Sequence, residues 1–427
     1  MTPGLNQKTW FNLKTMSLLI KNIKKLIQCR TENISFVSGK DMSFLPSIDN
    51  AYLVIKNGKI SDFGKMQDFK ETGFNEVIDA KDRMILPSWC DSHTHIVFAG
   101  NRSKEFIDRI KGLSYEEIAA RGGGILNSAK LLQNTSKEDL YNQSNMRINS
   151  VIRQGTGAIE IKSGYGLSLE SEVKMLQVIK QIKDSSKIQV KSTFLGAHAY
   201  PNEFKENKDG YIDLVLNKML PAFSKENLID YIDVFCEKGY FSPEDTEKII
   251  KEGLKYNIRS KIHVNQFNVL GGVKIAVENN ALSVDHLEVL QDDDIKILSK
   301  GSTIPVVLPT CSYFLGIDYA PARKLIDAGL PVAIASDYNP GSSPSGNMNF
   351  VISTACTKMK LTTEESINAA TINGAYAMGL EDKVGSISKG KIANLIITNK
   401  INSIDDIPYN FGGNQIHKII LEGQLIS

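Results

Sequence analysis

The chain has little that would mark a membrane, secreted or nucleic-acid-binding protein. None of its apolar runs approaches the roughly 18–20 residues needed to cross a bilayer. Lysine and arginine (50) nearly balance aspartate and glutamate (48), for a net charge of +2. No stretch joins a basic bias to aromatics, so nucleic acid is not suggested as a partner. The five cysteines, Cys29, Cys90, Cys236, Cys311 and Cys356, are scattered without a CxxC pair. That pattern fits free thiols in a reducing cytoplasm rather than a disulfide framework. Residues 1–14 are polar and mixed, without the pattern of a signal peptide. Residues 1–16 are therefore expected to be an N-terminal extension outside the folded part, with Met16 a candidate start. Internal repeats and low-complexity tracts are missing as well.

What is present is an ordinary globular composition, 42% hydrophobic and 23% charged, in 427 residues. That length accommodates one large domain with a smaller one. Both ends read as β structure. In the N-terminal part, Asn57-Gly58 between Tyr52–Ile55 and Ile60 is a hairpin signal. Near the C-terminus, Ile392–Ile397 and His417–Ile426 repeat the pattern. The middle alternates short apolar runs with helical patterns. The runs lie at about 84–90, 157–162, 188–197, 231–236, 259–264, 281–285, 303–309 and 331–336, with helices such as Leu169–Ile182, Pro243–Tyr256 and Gly272–Asn279 between them. Eight strand–helix alternations predict an α/β fold, a (β/α)8 TIM barrel over residues 83–379. A small composite β-sandwich domain is predicted from residues 17–82 and 380–427. A doubly wound open sheet is the alternative; the count of eight and the residues at the strand ends favour the barrel.

In a barrel, chemistry sits where strands end and βα loops begin. The first run ends in His93-Thr94-His95, and in extended backbone residues i and i+2 share a face. Other predicted strand ends carry His198, His263, His286 and Asp337. Five of the six histidines thus fall at one mouth, and only His417 does not. His93, His95, His263 and Asp337 offer three imidazole nitrogens and one carboxylate, a donor set for one divalent ion such as zinc. Such an ion would activate a water for hydrolysis. The fourth strand end, Cys236-Glu237-Lys238, has no lysine before it to bridge a second metal, which favours a single ion. Gly122-Gly123-Gly124, in the long first connection, fits a phosphate cradle or a close backbone approach. No Lys-Ser/Thr follows, which weighs against the phosphate.

The His-x-His pair, the histidines at strands five and six and the aspartate at strand eight resemble the amidohydrolase superfamily. Further stretches are similar to its members that open an imidazolone ring. These are Phe98-Ala99-Gly100-Asn101-Arg102, Tyr115, Gly122–Ile125, Lys162-Ser163-Gly164-Tyr165-Gly166-Leu167, Gly196-Ala197-His198, Asp285-His286-Leu287 and Ser336–Ser342. The resemblance covers about residues 17–427. It implies hydrolysis of 4-imidazolone-5-propanoate to N-formimidoyl-L-glutamate in histidine degradation. It also implies Zn²⁺ or Fe at His93, His95, His263 and Asp337, and makes a homodimer plausible. Carried over, substrate contacts fall on Arg102, Tyr165, His198 and Ser342, and product contacts on Tyr165, Asn339 and Gly341. A guanidinium binds a carboxylate bidentately, which suits Arg102 to the propanoate, helped by Tyr115 or Tyr165. Gln266 stands where some members carry glutamate; it can hydrogen-bond the ring but cannot shuttle a proton, so it is assigned to substrate binding. Acid–base work then falls to His286 and Asp337. A deaminase or another cyclic-amide hydrolase is the rival inside the superfamily, and a metal-binding protein without activity the rival outside it. Ser88-Trp89 departs from the pattern, where glycine and an aliphatic residue are expected.

Overall fold

The computed structural model describes residues 17–114, 117–118 and 121–426. Eight parallel strands form the barrel: β6 (Trp89–Asp91), β7 (Thr156–Lys162), β8 (Gln189–Ala197), β9 (Tyr231–Cys236), β10 (Arg259–Val264), β11 (Ser283–His286), β12 (Ile304–Val307) and β13 (Ala333–Ile334). They neighbour one another in chain order from β13 to β6. The ring closes beyond the ends of β6 and β13. Thr94 bridges Tyr338, the His95 N–H donates to the Tyr338 carbonyl (2.9 Å), and the Asp337 N–H donates to the His93 carbonyl (3.0 Å). Asp91 adds a side-chain link, accepting from the Ser336 N–H (3.0 Å) and hydroxyl (2.6 Å).

The helices between strands follow from local chemistry. Ser168 caps Leu169–Ser185 by accepting from the Ser171 N–H. Ser242 and Asp245 form a capping box for Pro243–Lys255, with proline in the first turn where it fits best. Leu169–Ser185 buries an apolar stripe that includes Met175, Leu176, Ile179 and Ile182 in the main core.

The terminal segments build one eight-stranded mixed sheet from β1 (Ser17–Ile27), β2 (Ser47–Lys56), β3 (Lys59–Lys65), β4 (Glu76–Asp79), β5 (Met84–Pro87), β14 (Leu395–Thr398), β15 (Ile416–Leu421) and β16 (Gln424–Ile426). The β2–β3 hairpin turns at Asn57 (φ 52°) and Gly58 (φ 77°), the left-handed pair that a two-residue loop requires. This sheet has a core of its own, with Ile20, Ile23, Leu53, Ile85, Leu395 and Ile420.

One strand differs from the expectation. The apolar run 84–90 is not a single barrel strand. Met84–Pro87 pairs with β1 and β14 in the terminal sheet, and only from Trp89 does the chain pair with β7. The crossing is at Ser88, whose N–H donates to the Asn394 carbonyl (2.9 Å), while the Trp89 N–H donates to the Gly155 carbonyl (2.8 Å). The whole run is buried, so its apolar pattern does not reveal that it serves two sheets.

Candidate active site

The strand ends bring the histidines and Asp337 together at the barrel mouth. A small cavity is lined there by His95, Arg102, Tyr165, His198, His263, Gln266, His286, Asp337, Asn339 and Ser342, with Ile125 and Phe235 as apolar walls. His93 lies at the cavity floor, fully buried. Gly341 does not line the cavity but backs Arg102: a Cβ there would lie 2.1 Å from Arg102 Nη1. Tyr115 lies outside the described residues.

Four groups converge. The Nε2 atoms of His95 and His263 are 3.3 Å apart, and Asp337 Oδ1 is 3.6 Å from Nε2 of both His93 and His95. Ligands about 2.0–2.1 Å from a tetrahedral ion are separated by about 3.3–3.4 Å, so these spacings fit one ion. Among the described residues, buried His93 Nε2 has no hydrogen-bond partner, which is consistent with a nitrogen kept for metal.

Carboxylates behind the rings set which nitrogen faces forward. Asp285 Oδ2 lies 2.6 Å from His93 Nδ1, and Asp233 Oδ2 lies 2.9 Å from His263 Nδ1. Asp285 accepts a hydrogen bond from His93 Nδ1, which leaves its Nε2 lone pair for metal, whereas Asp233 stands beside His263 Nδ1 at ion-pair distance without a hydrogen bond. Burial, reinforced by neighbouring positive charge, holds His93, His95 and His263 well below the usual 6.5. They are neutral at neutral pH, the state in which an imidazole can bind a metal. His198 is pushed down to about 4, chiefly by burial, and its Nδ1 pairs with the Gly164 carbonyl (3.0 Å). His286 goes the other way. Burial disfavours its charge, but Glu288, 3.4 Å from Nδ1, and Asp337 raise it on balance. Asp337 is raised by burial against the pull of His286. Its Oδ2 accepts from the Ser342 hydroxyl (3.1 Å).

Beneath the ligands lies a layer of buried charge. Lys162 Nζ meets Glu160 Oε1 (2.7 Å) and Asp233 Oδ2 (2.8 Å), and Lys261 Nζ meets Glu160 Oε2 (2.5 Å). Both lysines also approach Asp285 Oδ2, at 3.7 and 3.9 Å. All five side chains are fully buried. Sequence reading passed over Glu160, Asp233 and Lys261. The available signal is charge inside buried strands at alternate positions, Glu160 with Lys162 and Lys261 with His263, which places it on the barrel's inner face.

The loop after β13 is self-braced. The Asn339 side-chain oxygen accepts from the Gly341 (2.8 Å) and Ser342 (2.7 Å) N–H groups, and its amide donates to the Asp337 carbonyl (2.7 Å) and Ser342 Oγ (2.7 Å). Asp337 (φ 52°) and His286 (φ 90°) hold left-handed backbone, an unfavourable conformation for both that recurs at functional positions. On the far side, Glu237 accepts from the Lys238 and Phe267 N–H groups (both 3.0 Å), a loop-building role, and Cys236 is a buried thiol.

An eight-stranded barrel whose mouth carries the groups His93–His95–Asp337 and His93–His263–His286, each able to hold a metal ion, has the make-up of a metal-dependent hydrolase, and the sequence profile of the amidohydrolase family matches residues 84–426, so the chain belongs to that family. Within it, the chain belongs with the imidazolonepropionases. It is 59% identical to imidazolonepropionase from Flavobacterium johnsoniae over 96% of this chain and 100% of the relative. It is 39% identical to that of Thermoanaerobacter pseudethanolicus over 94% and 96%. Solved structures with the same fold include E. coli guanine deaminase, at a TM-score of 0.74 and 16% identity, covering 96% of this chain and 99% of that one. An adenosine deaminase from Xanthomonas campestris has a TM-score of 0.71 at 15% identity, covering 96% and 92%. Family membership implies a divalent metal, and the residues present suit one. Among the described residues no helix is long and apolar enough to cross a membrane.

Proposed function

We propose that this chain hydrolyses 4-imidazolone-5-propanoate to N-formimidoyl-L-glutamate in histidine degradation, with one zinc or iron ion held by His93, His95, His263 and Asp337. The observation that carries this reading is that Arg102 lines the same cavity as the donor set. The substrate needs both groups: a hydrolytic centre for its ring and a guanidinium for its propanoate.

His93, His95, His263 and Asp337 would hold the divalent ion, which when bound would supply Lewis-acid activation of a water near neutral pH. Asp337 Oδ1 faces the His93 and His95 nitrogens and accepts the proton of the attacking water. Oxygen adds to the ring carbonyl carbon, where His286 stabilises the developing negative charge through the ring nitrogen turned away from Glu288. The carbonyl–nitrogen bond then breaks. The ring nitrogen takes the first proton of the water, from His286 or Asp337, and the former carbonyl, still attached to the opened chain, becomes a carboxylate as the second proton passes to solvent. Arg102 holds the propanoate, while Tyr165, His198 and Gln266 hold the ring and its polar edges. Ser342, Asn339 and Gly341 shape the wall beside Asp337 and contact substrate or product. The buried floor and apolar walls exclude bulk water, which strengthens these interactions.

The five free cysteines support a cytoplasmic setting, and a homodimer is the proposed assembly. The test is incubation with freshly made imidazolone propanoate, following loss of its ultraviolet absorbance before and after chelation. Chelator-sensitive ring opening to N-formimidoyl-glutamate is expected. Ammonia release without ring opening, or full turnover by His263→Ala, would overturn the reading. Elemental analysis of the purified protein decides between zinc and iron.

A further inference from the structure

We propose that Glu105 is a positioning residue for carboxylate recognition, fixing the guanidinium of Arg102 and docking the Gly122–Gly124 turn onto it. The proposal rests on the reading of Arg102 as the group that binds the propanoate.

Arg102 stands just before the helix Ser103–Ile110, and Glu105 lies in that helix's first turn. Glu105 Oε2 takes one edge of the guanidinium, 2.7 Å from Nε and 2.6 Å from Nη2. The same oxygen accepts from the Gly124 N–H (3.2 Å), and Oε1 accepts from the Asn127 amide (2.9 Å). One carboxylate therefore joins the arginine, the glycine turn and the helix that follows it. Arg102 and Glu105 are only 6% and 7% exposed, so solvent screens their contact little.

The glycines fit this arrangement sterically. A Cβ on Gly123 would lie 3.1 Å from Glu105 Cδ and 2.8 Å from the Ile118 carbonyl oxygen. Gly124 has φ 76°, a backbone that disfavours side chains. On the opposite side Gly341 leaves room for Nη1. The guanidinium plane is thus fixed by a carboxylate on one edge and by backbone at Nη1. A long arginine otherwise loses rotamer freedom when its ligand arrives; here that ordering precedes binding. The triple glycine needs no phosphate to explain it: it is the close approach of a turn to Glu105.

The test compares Glu105→Gln with the unaltered enzyme on two substrates, imidazolone propanoate and its propanamide, whose tail is neutral. Gln keeps the length but not the charge of the contact with Arg102. The variant should raise KM for the propanoate about tenfold or more and change kcat by less than about twofold, as loss of an interaction with a charged group in binding predicts. KM for the propanamide and bound metal per chain should stay the same. Asn127→Ala, which loosens Glu105 without removing it, should move propanoate KM in the same direction by about threefold. It also serves if Glu105→Gln fails to fold. Equal losses on both substrates, or no change on the propanoate, overturn the positioning role. If the unaltered enzyme itself fails to distinguish the two tails, the reading of Arg102 falls, and this proposal with it.

Discussion

The backbone N–H of Asp337 donates to the carbonyl of His93 at 3.0 Å, so two of the four proposed metal ligands also stitch the first barrel strand to the last. Asp91, at the end of the first strand, and Ser336, just past the last and 245 residues away in sequence, repeat the link through the Asp91 carboxylate. The proposed metal site and the barrel closure share one segment of structure.

His263→Ala leaves the closure bonds untouched and removes one nitrogen of the donor set. Bound metal should fall below about a tenth of the normal content, in line with the cost of losing a ligand. Circular dichroism should show the barrel unchanged. Full metal occupancy in this variant would remove His263 from the ligand set.

Lys162→Met takes one of two cations from the buried layer of Glu160, Asp233 and Asp285. Burial opposes the charge of Lys162, but those carboxylates raise its pKa above the usual lysine value. Removing one partner of a buried ionic group costs about 3–5 kcal/mol, to be read from urea unfolding of the metal-free proteins. A loss below about 1 kcal/mol would mean that the layer relaxes without it.

Acid sensitivity of metal binding has a definite sign. A proton and the ion compete for the same imidazole lone pair. With His93, His95 and His263 all held well below 6.5, the proton competes only at lower pH than it would for an exposed histidine. Metal content after dialysis should be the same at pH 7 and pH 6 and decline only under more acidic conditions. Loss centred near pH 6.5 would contradict the neutral-ring assignment.

Gly155→Ala tests the seam between the two sheets. The residue has φ 99°, and a Cβ would lie 2.5 Å from Ile416 Cδ1 and 2.8 Å from the Trp89 indole nitrogen. Overpacking and a left-handed backbone together should cost about 2–4 kcal/mol, seen as a lowered thermal midpoint. An unchanged midpoint would show that Trp89 has room to move.

Trp89 is where the family resemblance and this chain differ, and the structure accounts for it locally. The indole is buried, donates to Asn349 Oδ1 (3.3 Å) and lies where any residue larger than Gly155 would collide with it. Its role is packing in the main core.

The barrel and its histidines were legible in the sequence because both depend on short-range pattern. Strand–helix alternation is local, and His93 with His95 needs only the two-residue repeat of extended backbone. Asp233 and Asp285 could not be read as partners of His263 and His93 because their pairing depends on which strands are neighbours and in what register. The anchoring of Arg102 was hidden for the same reason: Glu105 is close in sequence, but Gly124, Asn127 and Gly341 reach the pair only through the folded loops. Composition shows that Lys162 and Lys261 carry charge; only the folded barrel shows that it is held inside.

The division of the run at Ser88 sets an order of events during synthesis. β5 pairs with β14, at residues 395–398, and the strand carrying His93 is joined to its last neighbour only through residues 336–338. The first contact must await residues 395–398 and the second residues 336–338, all made long after His93 and His95. The first proposed ligands to be made, His93 and His95, are thus among the last to be secured in the fold.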